Sequence, residues 1–260
     1  MAVVILGAGG RLGRLLRPVF PAEAHWHSRT DVDIEDTDAL CHALAQADAV
    51  ICLAGVTAGP AQTMEANVTL AARVLDAAQS AGAGRVLLFS SAAVYGRAAG
   101  LLSEMTPAAP IHPYGIAKRK METMAAQHPH PTTAIRLGNV AGADAILGGW
   151  APGFSLDTLP DGTTPMRSYI GPKRLAHVLR DLCNTPHLRA IINVAAPGVV
   201  AMGSLLDAAG LDWSPRPANQ QTIAHVQMDI THLQEVTSFA PEDSTAQGIV
   251  SDWHTTKAAQ

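Results

Sequence analysis

The sequence is poor in charged and aromatic side chains. Charged residues make up 15% of the 260-residue chain and aromatic residues 4%, whereas hydrophobic residues reach 48%. The formal net charge is −4 and no long Lys/Arg cluster occurs, which argues against a nucleic-acid-binding surface. Low charge with high apolar content is typical of a sheet that helices cover on both faces.

Cysteines and long apolar runs are also scarce. Cys41, Cys52 and Cys183 are widely spaced and form no C-x-x-C pair, so we expect free thiols in a reducing compartment. The apolar N-terminal run meets Gly7 too early for a signal-peptide core, and no apolar run reaches about 18 residues. The 11 histidines show no metal-ligand spacing. These features predict a soluble, cytoplasmic protein without a metal site.

Short apolar segments alternate with amphipathic ones in the first two-thirds of the chain. Residues 67–79 carry apolar side chains at helical spacing, between segments with the apolar character of buried strands. This alternation predicts an α/β protein with right-handed βαβ units and a doubly wound parallel sheet. The predicted strands are Val3–Leu6 and residues 49–53, 85–90 and 133–137.

Glycine and proline become frequent beyond residue 142, and we expect loops there. Residues 1–142 are therefore predicted to form the nucleotide-binding core. Residues 143–260 are predicted to form a reduced substrate lobe, interleaved with the last core elements in one compact unit. Within that lobe we expect helices at residues 175–184, 204–209 and 245–254 and strands at 190–194 and 221–228.

A glycine-rich turn follows the first predicted strand. The segment GAGGRLG occupies residues 7–13 and leads into a helix pattern. Its glycines permit a tight turn, close approach of a pyrophosphate, and close packing of the helix on the strand. The start of the helix would offer N–H groups to the phosphates. The segment predicts a dinucleotide-binding Rossmann fold with contacts from Gly7, Gly10, Arg11, Leu12 and Gly13.

The end of the second strand distinguishes the two nicotinamide cofactors. An acidic residue there would bind the ribose 2′-hydroxyl of NAD, whereas an arginine favours the 2′-phosphate of NADP. Ser28 and Arg29 stand where the acid is expected. Asp31 would serve as the acid if the strand ended two residues later. We predict NADP as the cofactor, with NAD as the alternative.

Tyr114 and Lys118 stand one helical turn apart, which places them on the same helix face. A free tyrosine has a pKa of about 10, and a nearby fixed cation lowers that pKa toward the working range of a general base. Upstream, the apolar segment that leads to Ser90 and Ser91 ends in hydroxyls. Such a strand end lies at the carboxyl edge of the sheet, where open α/β folds bind ligands.

The glycine turn, the SSAAVYG segment at residues 90–96 and the Tyr114-x-x-x-Lys118 pair occur in this order. Together they resemble the extended short-chain dehydrogenase/reductases, specifically the NAD(P)-dependent epimerase/dehydratase family. The resemblance implies that Tyr114 is the general acid/base and that Ser91 bonds and orients the same substrate oxygen. It implies that Lys118 lowers the pKa of the tyrosine and bonds the nicotinamide ribose. Hydride transfer is the chemistry of the cofactor.

The resemblance extends to further cofactor and substrate residues. The DI pair at residues 33–34 looks like the adenine-contacting pair of the family, and LAG at residues 53–55 occupies its strand end. RLGNVAG at residues 136–142 and RSYI at residues 167–170 are similar to segments that line the substrate. The cofactor residues implied are Asp33, Ile34, Leu53, Ala54, Gly55, Tyr114 and Lys118, and the substrate residues are Ser91, Asn139 and Arg167.

The resemblance implies an NAD(P)-dependent oxidoreductase or epimerase that acts on a hydroxyl/carbonyl centre of a sugar or sugar nucleotide, and a homodimer. An NADPH-dependent carbonyl reductase is the alternative, including the dTDP-4-dehydrorhamnose reductase type, which residues 27–36 resemble. A non-catalytic dinucleotide-binding sensor or assembly factor is the second alternative. Sensors of this kind commonly lose the Tyr/Lys pair, and this chain retains Ser91, Tyr114 and Lys118.

Overall fold

The computed structural model describes residues 1–259. The strands are β1 (Val3–Leu6), β2 (Ala24–His27), β3 (Ala49–Cys52), β4 (Arg85–Ser91), β5 (Gly100–Leu102), β6 (Thr132–Leu137), β7 (Asn139–Val140), β8 (Ser155–Thr158), β9 (Met166–Arg167), β10 (Tyr169–Ile170), β11 (Ile191–Val194), β12 (Val200–Ala201), β13 (Ser214–Pro217) and β14 (His225–Met228). The helices are α1 (Arg11–Leu16), α2 (Thr37–Leu44), α3 (Ala61–Met64), α4 (Ala66–Ser80), α5 (Pro113–Gln127), α6 (Pro172–Cys183), α7 (Met202–Ala208), α8 (Thr231–Gln234) and α9 (Ala246–Ala258), with 3-10 turns at Arg17–Val19, Ala92–Tyr95 and Pro241–Ser244.

Six strands form the central sheet in the order β11-β6-β4-β3-β1-β2. Each neighbouring pair in this sheet is parallel, which confirms the predicted doubly wound parallel architecture. The strand order reverses at β1, because β2 lies on one side of it and β3 on the other. Open sheets of this kind bind ligands in the crevice at the carboxyl ends of the strands beside such a reversal.

Both faces of the sheet are buried. In β1, Val3 and Ile5 pack into the cluster that contains the apolar face of α6, whereas Val4 and Leu6 pack into the cluster of α2, α4 and α5. Alternate side chains of a strand point to opposite faces, so a sheet that helices cover on both faces needs apolar residues at every position. This requirement explains the high apolar and low charge content.

The predicted elements of the first two-thirds are confirmed to within one or two residues, although α2 was not predicted. In the Gly/Pro-rich span of residues 148–165, where loops were expected, the short strand β8 occurs, and β9 and β10 follow directly after it. The predicted strand at residues 221–228 begins only at His225. Its first part is a turn in which Thr222 N donates to Asn219 O at 3.0 Å and Asn219 N donates to Thr222 Oγ1 at 3.1 Å. Such local bonds compete with a strand ladder.

The C-terminal part of the chain supplies an edge of the central sheet. β11 pairs with β6 in parallel, although the connection between them contains short strands and α6. The division at residue 142 remains a prediction. Among residues 1–259, no helix is both long and apolar enough to span a membrane.

Candidate active site

A cavity of about 810 Å³ opens at the carboxyl ends of β1, β2 and β3. It lies at the reversal of strand order, which is where this architecture binds its ligand. The predicted cofactor residues that line it are Gly7, Gly10, Ser28, Arg29, Asp33, Ile34, Leu53, Ala54 and Gly55. The tertiary structure thus brings three sequence-distant segments together around one space.

The glycine turn forms the floor of this cavity. Gly7 has φ +95°, and a Cβ there would lie 2.6 Å from the backbone nitrogen of Ala54. A Cβ on Gly13 would lie 2.5 Å from the carbonyl oxygens of Gly7 and Ala8. Both positions therefore exclude a side chain. The turn is tied to β2, because the backbone nitrogens of Gly7 and Ala8 donate to His27 O at 2.8 and 3.0 Å.

Three predicted residues of the turn do not line the cavity. Gly13 packs the first helical turn against the backbone of the loop, so its part is indirect. Arg11 donates from Nη1 to the carbonyl oxygen of Ala143 at 2.8 Å and thereby ties the glycine turn to the loop after β7. Leu12 is half-buried against the core cluster that includes α6. Their predicted contact with a cofactor remains a prediction.

The loop after β2 places Arg29 at the cavity and turns Asp31 back into the loop. Asp31 Oδ2 accepts hydrogen bonds from Ser28 N at 2.8 Å and from Ser28 Oγ at 2.6 Å. These bonds to the Ser28 side chain and backbone lower the pKa of Asp31. Asp31 closes the loop on itself, while Ser28, Arg29 and Thr30 line the cavity.

The loop after β3 depends on a residue that the sequence analysis did not identify. The buried Asn67 accepts from Val56 N at 3.1 Å and donates from Nδ2 to Val56 O at 3.0 Å and to Met64 O at 2.9 Å. A Cβ on Gly55 would lie 2.8 Å from Asn67 Oδ1 and 3.3 Å from Lys118 Nζ. Lys118 therefore reaches the wall of the cavity. The only sequence signal was an amide within an otherwise apolar helix face.

Ser91, Tyr114 and Lys118 meet at the carboxyl edge of β4. Ser91 is the last residue of β4, and its Oγ accepts from Ala93 N at 3.2 Å, which caps the following 3-10 turn. Tyr114 and Lys118 lie in the first turns of α5, with the Lys118 ammonium 5.7 Å from the centroid of the Tyr114 ring. The predicted juxtaposition of the three side chains is present in the structure.

Burial is the main cause of the pKa shifts of Tyr114 and Lys118. Burial raises the pKa of the Tyr114 phenol, and a hydrogen-bonding interaction with Ser91 opposes the rise without cancelling it. Burial also lowers the pKa of Lys118 to about 8. The predicted lowering of the tyrosine pKa by Lys118 is thus not seen in this structure, because desolvation disfavours both charged forms. At neutral pH the phenol carries its proton and can donate it.

A smaller cavity of about 170 Å³ adjoins the serine end of β4. Asn139 and Arg167, the predicted substrate residues, line it together with Ala92 and Ala93, which directly follow Ser91. Arg167 Nη1 donates to Met166 O at 2.8 Å. Within the described residues, no carboxylate lies at salt-bridge distance from Arg167, and burial lowers its pKa. A half-buried, unpaired guanidinium is costly unless an anion binds beside it.

Residues 3–149 match the sequence profile of the NAD dependent epimerase/dehydratase family. The chain belongs to this family. Membership in the epimerase/dehydratase family confirms the resemblance to extended short-chain dehydrogenase/reductases and makes the chain an enzyme of that type. A comparison with curated protein sequences finds no significant match.

Solved structures of this family share the fold over nearly the whole chain. An NAD dependent NDP-hexosamine 5,6-dehydratase, TunA, involved in tunicamycin biosynthesis, superposes with a TM-score of 0.79 at 17% identity, covering 100% of this chain and 98% of its own. The UDP-Glc/GlcNAc 4-epimerase of Campylobacter jejuni gives 0.78 at 17% identity and covers 99% of both chains. RMD from Pseudomonas aeruginosa, complexed with NADPH, gives 0.73 at 20% identity and covers 98% of this chain and 99% of its own. These identities support a shared fold.

Proposed function

We propose that this chain is an NAD(P)-dependent oxidoreductase or epimerase that acts on a hydroxyl/carbonyl centre of a sugar nucleotide or sugar. The observation that carries the proposal is the meeting of Ser91, a half-buried Tyr114 phenol and a buried Lys118 ammonium at the carboxyl edge of β4. Gly55 of the larger cavity lies beside Lys118, and Ala92 and Ala93 of the cavity with Arg167 directly follow Ser91.

In this proposal, Tyr114 moves the proton. When a carbonyl is reduced, the phenol donates its proton to the carbonyl oxygen; in the reverse direction, the phenolate accepts the proton of the hydroxyl. Ser91 donates a hydrogen bond to the same oxygen and orients it, and Lys118 stabilises the phenolate and bonds the ribose of the cofactor. The nicotinamide, when bound, supplies or accepts the hydride. The glycine turn fits a pyrophosphate, because no side chain stands between it and the cavity.

The direct test of this mechanism is Tyr114→Phe. With a substrate identified from a panel of sugar nucleotides and small ketones, we expect kcat to fall by about a hundredfold or more, because general acid catalysis is lost. The matched control is Tyr95→Phe, which removes a phenol hydroxyl outside the reacting group. If Tyr114→Phe retained normal turnover, the catalytic assignment would be wrong. If the panel gave no turnover while dinucleotide bound tightly, the proposed substrate classes would be wrong.

We propose NADP as the cofactor, with NAD as the alternative. The support is that Arg29 is exposed at the cavity, whereas the Asp31 carboxylate bonds Ser28 and does not line the cavity, where it could bind a ribose 2′-hydroxyl. Calorimetric titration of wild type and Arg29→Ala with both cofactors tests this. We expect the variant to lose about tenfold or more of NADPH affinity, with little change for NADH. Arg73 of α4 lines the same cavity. If NADPH affinity fell in Arg73→Ala and not in Arg29→Ala, the 2′-phosphate would bind beside α4 instead.

The anionic part of the substrate is proposed to bind Arg167. Its guanidinium is half-buried beside the smaller cavity and has no carboxylate partner among residues 1–259. Structures with the same fold hold UDP-glucose with NAD, or NAD with UDP, which supports a substrate that carries a diphosphate. Arg167→Ala should raise KM for an anionic substrate and leave KM for a neutral ketone unchanged, with Arg167→Lys intermediate. Equal effects on both substrates would reject the anion site.

Reductase and epimerase activities differ in the fate of the cofactor. The raised pKa of Tyr114 favours the proton-donating role, which is the role needed for reduction of a carbonyl. Net consumption of NADPH, followed by absorbance, would identify the carbonyl-reductase alternative. Turnover without net consumption, with a tightly held cofactor, would identify an epimerase. A cytoplasmic homodimer is proposed from the family resemblance, and light scattering at micromolar concentration tests the dimer.

A further inference from the structure

Helix α5 carries a third functional side chain below Tyr114 and Lys118. Glu122 stands one turn after Lys118 and two turns after Tyr114, on the same stripe of the helix. Its side chain is fully buried, with 0% exposed. Its carboxylate accepts a hydrogen bond from Ser90 Oγ at 2.7 Å and two from Arg136, at 2.9 Å each from Nε and Nη2.

These bonds attach α5 to the strand that ends in Ser91. Ser90 and Ser91 point to opposite sides of β4, because side chains alternate along a strand. Ser90 pairs in register with Arg136 of the neighbouring β6, so one carboxylate spans both strands. Although burial by itself raises the pKa of Glu122, the interactions with Arg136, Ser90 and Arg119 together outweigh it and hold that pKa below its usual value. The pair is therefore ionised at neutral pH.

A second contact holds the other end of the helix. A Cβ on Gly115 would lie 2.5 Å from the carbonyl oxygen of Ala93, so the first turn of α5 rests directly on the backbone that follows Ser91. The Gly115 contact limits how closely the helix approaches the strand. The Glu122 bonds resist sliding and withdrawal of the helix, because either movement would separate the buried carboxylate from Ser90 and Arg136 and leave it only Arg119 of the same helix, whose Nη1 lies 3.1 Å away.

We propose that Glu122 is a positioning residue that, through Ser90 and Arg136, fixes α5 on β4 so that Tyr114 stays in register with Ser91. The inference rests on the proposed function, because it assumes that the Ser91–Tyr114 geometry matters to proton transfer. A displacement of about 1 Å in such a site is enough to reduce turnover by roughly a hundredfold.

The network continues on the far side of Arg136, where a matched control is available. The Arg136 guanidinium lies 4.9 Å from the centroid of the Tyr95 ring, and the Tyr95 hydroxyl donates to Asn193 Oδ1 at 2.7 Å. Tyr95→Phe therefore removes a buried hydroxyl of the same network, which also lies 3.0 Å from Ser103 O, and leaves every bond of Glu122 in place. Ser90→Ala removes one buried hydrogen bond, from the Ser90 hydroxyl to Glu122, that joins β4 to α5. The two variants should lose similar stability, about 1 kcal/mol by the usual value of one hydrogen bond.

The test uses the scarcity of tyrosine, since the chain has only three. Incorporation of 3-fluorotyrosine lowers the intrinsic phenol pKa into an accessible range, and ¹⁹F NMR then follows each tyrosine by its own resonance. Tyr95→Phe and Tyr114→Phe assign the resonances. The titration of Tyr114 is measured in the full chain for wild type, Ser90→Ala, Glu122→Gln and Tyr95→Phe.

We expect Ser90→Ala and Glu122→Gln to raise the pKa of Tyr114 by about half a pH unit or more, because the opposing interaction with Ser91 weakens. Tyr95→Phe should leave it unchanged. With a substrate in hand, kcat should fall about tenfold in Ser90→Ala at unchanged KM. If Glu122→Gln does not fold, Ser90→Ala, which retains the ion pair, still decides the result.

An unchanged Tyr114 titration in folded Ser90→Ala would overturn the proposal, as would an equal shift in Tyr95→Phe. The titration is independent of turnover, so its outcome is separable from that of the proposed function. If Tyr114→Phe stayed active, the catalytic role would fail while the NMR result remained readable. If Tyr114→Phe were inactive and the titration did not move, only the role of Glu122 would fail.

Discussion

Replacing Lys118 with methionine should stabilise the folded chain while it removes the cation from the site. Lys118 is 4% exposed, and no carboxylate forms an ion pair with it in the described part of the chain. Burial lowers its pKa from 10.5 to about 8, which corresponds to roughly 3 kcal/mol of desolvation cost at neutral pH. Methionine has a similar length and no charge, so we expect the free energy of unfolding to rise by about 1–3 kcal/mol.

The stability difference between Lys118→Met and wild type should depend on pH. Below about pH 8, Lys118 is charged in both the folded and the unfolded chain, and the folded chain bears the full cost. Between about pH 8 and 10.5, Lys118 is protonated in the unfolded chain and neutral in the folded chain. Its contribution to the free energy of unfolding therefore rises with pH. The advantage of Lys118→Met should therefore be largest at pH 7 and vanish near pH 10.5.

The assay is urea denaturation of wild type and variant across this pH range, without added dinucleotide. Lys120→Met is the matched control, because Lys120 is an exposed partner of Glu65 at 2.6 Å and should change stability by less than about 1 kcal/mol. Added NADP should stabilise wild type more than Lys118→Met, since Lys118 is proposed to bond the ribose. A less stable Lys118→Met, or an advantage that persists at pH 10.5, would refute the reasoning.

Two further substitutions test the glycine turn and the C-terminal helix. Gly7→Ala should abolish dinucleotide binding in calorimetry and lower the free energy of unfolding by about 3 kcal/mol or more, because φ is +95° and the added Cβ would lie 2.6 Å from Ala54 N. The control is Gly82→Ala, where φ is +65° and the space around the added Cβ is open. It should lower the free energy of unfolding by only about 1–2 kcal/mol and leave binding intact. Asp252→Ala should cost about 1–2 kcal/mol in urea denaturation at pH 7, because its carboxylate accepts from two backbone N–H groups in the first turn of α6 at 2.7 and 2.9 Å. Unchanged stability would reject this capping role.

Much of the fold was predictable because its signals are local. The apolar character of β1 and β3, the glycines of residues 7–13 and the helical spacing of α4 each act within a few residues. The turn at residues 219–222 and the short strands after residue 142 were missed because they depend on side-chain bonds and on partners far along the chain. Sequence periodicity carries no information about such partners.

By itself, the sequence determined the parallel architecture, the glycine turn that excludes side chains, and the one-turn spacing of Tyr114 and Lys118. Only the tertiary structure decided the chemical state of the site. It placed the half-buried phenol beside the buried ammonium, and desolvation reversed the expected direction of the tyrosine pKa. It also left Arg167 without a carboxylate partner in residues 1–259 and joined Glu122 to Ser90 across 32 positions of sequence. The physical reason is that desolvation and charge pairing depend on what surrounds a group in space, and packing decides that.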